Sequence, residues 1–247
     1  MKISRKFFFV LFIFFFVSCK ENKELKKYSF ALSGAISNPT EQYLILSEVG
    51  KSGFSQNDTI SLDKEGVFSK NIEMQEPTLY SLALGNEYII ICPTIGEQIS
   101  IKASGSNFSG TYNIEGSPES ELLKELNKEN YNVRLSLKSM SEELSKADTA
   151  KLDSIRTSII EKYTSTKQYQ EKITSDFINK NLGSLTTLIA LYRTFDGFAL
   201  FDYNQSLEMH KKVLQGLKQT LPNNQHTLTL ENFIAEKENA QKENGTK

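Results

Sequence analysis

Three patterns of apolar and polar positions follow one another along the chain. Phe7 to Val17, FFFVLFIFFFV, is apolar without interruption and follows a short segment carrying Lys2, Arg5 and Lys6. From Ser29 to Glu115, apolar and polar positions alternate in short runs, and beyond Gly116 apolar residues recur at spacings of three and four. The patterns predict an export leader, a strand-rich unit and a helical unit, in that order.

The leader comprises residues 1–18. A basic start followed by an apolar run of this length is the make-up of a signal peptide, whereas a spanning helix needs about 20 apolar residues. The run stops at Ser18-Cys19, before the charged stretch KENKELKK. Phe16-Val17-Ser18-Cys19 resembles the bacterial lipobox, with Phe where Leu is usual. That resemblance implies cleavage before Cys19 and acylation of its thiol and new amine. Several acyl chains on one residue hold a protein to a membrane, which a single chain does only marginally. Residues 19–28 then read as the lipidated cysteine and a solvated tether, similar to those after the lipid cysteine in surface lipoproteins of the Bacteroidota. The expected location is the cell envelope, at the outer membrane.

The strand-rich domain is expected over residues 29–116. Phe30, Leu32, Gly34 and Ile36 share one face of the first strand, and further runs cover 43–46, 58–62, 67–72, 79–84, 88–92, 98–103 and 111–114. Turn signals such as Asp63-Lys64-Glu65-Gly66 and Ile95-Gly96-Glu97 separate them. Strands at this spacing imply an antiparallel β-sandwich or barrel.

An α-helical region is expected over 117–240, giving the whole an α+β fold class. Ser117 suits an N-cap, Pro118 the first helical position, and Glu119 and Glu121 the positive end of the helix dipole. Asp148 can cap a second helix reaching Asn181, which Leu182-Gly183-Ser184 ends. An apolar helix at 185–192, an aromatic loop at 195–203, a helix at 205–220 and one from about Gln225 follow. Residues 241–247 read as a frayed, disordered tail.

Charge and cysteine content narrow the function. The chain carries 29 Lys and Arg against 30 Asp and Glu; removing the three basic residues of the leader leaves 26 against 30, a net of −4. Such a balance gives no electrostatic footprint for nucleic acid. Of two cysteines, only Cys92 remains once Cys19 is lipidated, so no intrachain disulfide is expected.

Gly34, Asp58-Thr59-Ile60, Lys64-Glu65-Gly66-Val67-Phe68, Tyr80, Pro93 to Ile99 and Ile114 to Ser120 occur in an order that resembles a domain of unknown function. That domain stands at the N-terminus of many Bacteroidota lipoproteins, usually ahead of a thioredoxin-like thiol-disulfide oxidoreductase domain. Asn181 to Tyr192 and Leu221-Pro222-Asn223-Asn224 extend the resemblance, which covers most of 29–235. It implies a scaffold module and a thioredoxin-like envelope protein as a partner. The catalytic Cys-x-x-Cys of those enzymes has no counterpart in these 247 residues, so redox catalysis is not carried over.

Candidate chemistry is sparse. Cys92, among Ile89, Ile90, Ile91 and Pro93, reads as a small buried hydrophobe. His210 and His226 are too far apart in sequence for a simple metal motif, and Asp58 and Glu97 read more simply as strand and turn residues than as a binding pair. Tyr192, Phe195, Phe198, Phe201 and Tyr203 could line a ligand surface but are expected to pack as core. Asp58-Thr59-Ile60, Asp148-Thr149-Ala150 and Asp153-Ser154-Ile155 resemble the Asp-Ser/Thr-aliphatic signal for O-glycosylation of exported Bacteroidota proteins, at Thr59, Thr149 and Ser154. No catalytic, metal or cofactor motif stands out. Two functions are therefore expected to compete: a lipid-anchored, non-catalytic binding module, and an accessory unit of a thiol-disulfide oxidoreductase system.

Overall fold

The computed structural model describes residues 28–50 and 53–245. Cys19 and the leader lie outside the described residues, so lipidation is not visible in it.

The alternating half folds as eight strands in two four-stranded sheets. One sheet is formed by β1 (Tyr28–Ser37), β4 (Val67–Met74), β7 (Gln98–Ser104) and β8 (Asn113–Glu115) in the order β4-β1-β7-β8. The other contains β2 (Tyr43–Gly50), β3 (Gly53–Ser61), β5 (Tyr80–Leu84) and β6 (Glu87–Ile91), ordered β3-β2-β5-β6. Phe30, Leu32 and Ile36 of β1 and Leu44, Leu46 and Leu82 of the opposite sheet enter one core, as their two-residue period requires. Each Leu in such a core contributes about 2–5 kcal/mol against Ala.

The strand-rich half differs from the sequence reading in several details, among them Thr111, which ends a helix rather than starting a strand. β1 begins at Tyr28, which the reading assigned to the tether, and Tyr28 pairs with Met74. The sheets are not wholly antiparallel, because β1 and β7 run parallel, with Leu32 opposite Ile99. The long excursion through the second sheet returns the chain to β1 in that direction. A short helix, α1 (Phe108–Thr111), stands before β8 and buries Phe108.

The transition to helices follows the expected chemistry. α2 (Pro118–Ser145) starts with Pro118 at its first position, and the Ser117 hydroxyl accepts from the Ser120 N–H at 3.4 Å. The Ser120 hydroxyl accepts from the Cys92 N–H at 2.9 Å, joining the end of β6 to the first turn of α2. Asp148 accepts from Ala150 N–H and caps a 3-10 turn, Thr149–Lys151, that leads into α3 (Leu152–Lys180). α4 (Thr186–Leu191), α5 (Tyr203–Thr220) and α6 (Gln225–Gly245) complete the helices.

The aromatic loop is a small hairpin, β9 (Thr194–Phe195) paired with β10 (Phe198–Ala199), turning at Asp196 and Gly197 with φ of 50° and 82°. An Asp-Gly pair suits such a turn, but its flanks are too short to read as strands. The helix α6 passes Ala240, where a disordered tail was expected, and reaches Gly245. The Glu, Lys, Gln and Ala residues of its last turns are strong helix formers, which sustains the helix beyond the apolar contacts of Leu230 and Ile234.

A second core lies among the helices, including Leu123, Ile178, Leu188, Leu191, Val213 and Leu230. Leu79 and Cys92 of the strand-rich half belong to this core rather than to the inter-sheet one. Among the described residues no helix is long and apolar enough to cross a membrane.

Candidate functional site

The chain segments around β6, α2 and the α4–β9 junction leave a cleft of about 930 Å³. A second lobe of about 460 Å³ adjoins it, and Tyr88, Ile90, Ile189 and Tyr192 line both. The lobes differ in chemistry. The smaller is walled chiefly by Val49, Leu79, Ile90, Leu188, Ile189 and Leu230. The larger carries four cations, Lys124, Lys128, Arg134 and Arg193, against two acids, Glu87 and Asp196.

Both acids have other partners. Glu87 accepts from the Ser109 N–H and hydroxyl, each at 2.7 Å, and Asp196 accepts from the Tyr163 hydroxyl at 3.1 Å. No salt bridge ties any of the four cations to a carboxylate among the described residues.

Arg193 is the unusual member, only 7% exposed. It follows the last turn of α4, where its N–H donates to Ala190 O at 3.3 Å and its carbonyl accepts from Leu200 N–H at 2.9 Å. Its Nη1 donates to Leu126 O at 3.4 Å and its Nη2 to Asn127 Oδ1 at 3.2 Å. The Asn127 amide in turn donates to the Tyr112 hydroxyl at 3.2 Å, which fixes its orientation. Burial, and then the neighbouring Arg134 charge, pulls the Arg193 guanidinium down to about 10, which leaves it protonated at neutral pH.

Gln170 of α3 is 2% exposed and also lines the larger lobe. Its Nε2 donates to Asn130 Oδ1 at 2.9 Å, and its Oε1, itself shut off from solvent, has no donor among the described residues.

The aromatic group divides. Phe195, Phe201 and Tyr203 are buried as expected, but Phe198 is 75% exposed and Tyr192 54% exposed. Phe195 packs edge-on against Tyr163 at 5.0 Å between ring centres, while Phe198 on the facing strand of the hairpin turns outward. Tyr192 alone of these exposed aromatics lines both lobes.

The remaining candidates are scattered. Cys92 is buried in the helical core, and burial, with Glu119 and Glu97 adding to it, pushes its thiol well up. Asp58 pairs with Lys70, and Glu97 closes its own turn by accepting from the Thr94 N–H and hydroxyl. His210 is enclosed by the Tyr203 and Phe233 rings, while His226 Nε2 lies 2.8 Å from Thr78 Oγ1. No group of three or more His, Cys, Asp or Glu stands together to hold a metal among the described residues. Thr59, Thr149 and Ser154 are all exposed.

Sequence reasoning missed Arg193, Arg134 and Gln170. A signal existed for the first: Arg193 is the one charged residue between Leu185 and Phe195. Nothing in the polar helices distinguished Arg134 or Gln170 from solvated neighbours.

Scans of the chain against protein-family models and against curated proteins found no match.

Proposed function

We propose that this chain is a lipid-anchored lipoprotein of the cell envelope that acts as a non-catalytic binding module, with the two-lobed cleft as its site. The cleft carries the reading. It lies against both the strand-rich half and the helices and combines an apolar wall with a few convergent polar groups, the usual composition of a ligand pocket. Lipid on Cys19 and the short tether hold the module at the outer membrane, and Thr59, Thr149 and Ser154 are the hydroxyls offered for O-glycosylation. The motif resemblance supports the same assignment to a Bacteroidota lipoprotein scaffold module.

Native mass spectrometry of the protein purified from its own membranes tests this. A stoichiometric non-covalent adduct is expected, and Thr194→Trp, which fills the larger lobe from an exposed strand position, should remove it. A mass that shows no adduct, or an adduct indifferent to Thr194→Trp, would contradict the reading.

A further inference from the structure

The proposed site holds a buried cation, Arg193, to which no carboxylate is paired among the described residues. Arg193 has five N–H donors, of which two are used, both on neutral oxygens. A buried charge is costly unless an opposite charge faces it, and here the Arg134 charge acts on Arg193 unfavourably. Arg134 stacks over the Tyr131 ring at 5.8 Å, which positions it without neutralising it. Both guanidinium groups, with Lys128, belong to one lobe.

The planar fork of arginine matches the two oxygens of a carboxylate or phosphate. A carboxylate or a phosphate monoester can supply that anion. The adjoining lobe is apolar, and Tyr88 and Tyr192 stand between the two lobes.

We infer that the cleft binds an amphiphile whose head is a carboxylate or phosphate and whose apolar tail enters the lobe lined by Ile90, Leu188 and Leu230. Arg193 and Arg134 hold the anion. The inference rests on the cleft being the binding site and names what enters it.

Calorimetric titration of the chain from Lys20 onward tests it. Every residue of both cores lies between Phe30 and Ile234, so this chain keeps them all. The probes are dodecyl phosphate, 2-hydroxydodecanoate, dodecanoate, inorganic phosphate and the uncharged dodecyl maltoside, all below micelle-forming concentrations. Dodecyl phosphate, 2-hydroxydodecanoate and dodecanoate should each bind one to one. Inorganic phosphate should bind at least about tenfold more weakly, because it leaves the apolar lobe empty, and the maltoside should not compete. Tight binding of inorganic phosphate alone would identify a free-anion site instead and overturn the amphiphile.

Two variants separate ligand recognition from scaffold support. Arg193→Met should weaken dodecyl phosphate at least about thirtyfold, while the ligand-free variant melts no lower than the parent, because a buried unpaired charge is gone. The exposed Arg134→Gln should weaken it by about fivefold. Unchanged affinity in Arg193→Met, or equal binding of charged and uncharged amphiphiles, would overturn the inference. A ligand-free Arg193→Met that melts well below the parent would do so as well, by showing a structural arginine. If a native adduct sensitive to Thr194→Trp exists but no anionic probe binds, the oxyanion assignment fails and the binding module stands.

Discussion

Thr78 Oγ1 and His226 Nε2 lie 2.8 Å apart across 148 residues of chain. Around this contact, Asn224 Nδ2 donates to Pro77 O at 2.7 Å and Gln225 N–H to Glu76 Oε1 at 3.1 Å. The first turn of α6 is thereby fastened to the connection between β4 and β5. His226 also lines the apolar lobe of the cleft, so the same contact shapes the site.

Burial pulls the His226 pKa below its ordinary value, and Glu76 offsets this only in part. The unfolded chain therefore takes up a proton at this residue before the folded one does. Stability from this source is complete above the unfolded value near 6.5 and falls as the pH drops through it toward the depressed folded value. Urea unfolding at pH 7.5 and pH 5 should give a lower midpoint at pH 5, and His226→Gln should reduce that difference. An unchanged difference in the variant would contradict the assignment.

Cys92 should be chemically silent in the folded state. The residue is 3% exposed, and burial disfavours the thiolate that would react. Iodoacetamide should label it only as fast as the protein unfolds, with rapid labelling in 6 M guanidinium. Cys92→Ser should cost about 1–3 kcal/mol, because the new hydroxyl is placed among apolar neighbours.

Gly66 turns the chain into β4 with φ of +78°, and a Cβ there would stand 2.1 Å from the Ile36 carbonyl oxygen. That oxygen belongs to β1 backbone, which cannot move aside without disturbing its ladder. Gly66→Ala should cost about 2–5 kcal/mol from backbone conformation and overpacking together. A lowered urea midpoint with unchanged slope would be the signature.

Cys19→Ala should abolish incorporation of radiolabelled palmitate and release the protein from the membrane fraction. Labelling that persists in the variant would remove the anchor from the account.

The strands and long helices were legible because their signals are local. Alternation at Phe30, Leu32 and Ile36 defines a face, and Ser117-Pro118 with two following glutamates defines a helix start. Parallel pairing of β1 with β7 was not legible, since no local pattern encodes which distant strand arrives alongside or in which direction. The division of the aromatics was partly hidden for a similar reason: Phe195 and Phe198 are cross-strand partners in a hairpin too short to announce itself, and it is Phe195 that the distant Tyr163 packs against. The cleft was hidden most deeply. Arg134 on α2, Gln170 on α3 and Arg193 beyond α4 meet only in the folded chain.

Amide hydrogen exchange with and without saturating dodecyl phosphate reads whether a ligand occupies this cleft against Arg193. Exchange should slow in residues 126–134 of α2 and 188–195 around the end of α4, with the C-terminal turns of α6 unaffected. Protection confined to other segments, or none at saturation, would contradict it.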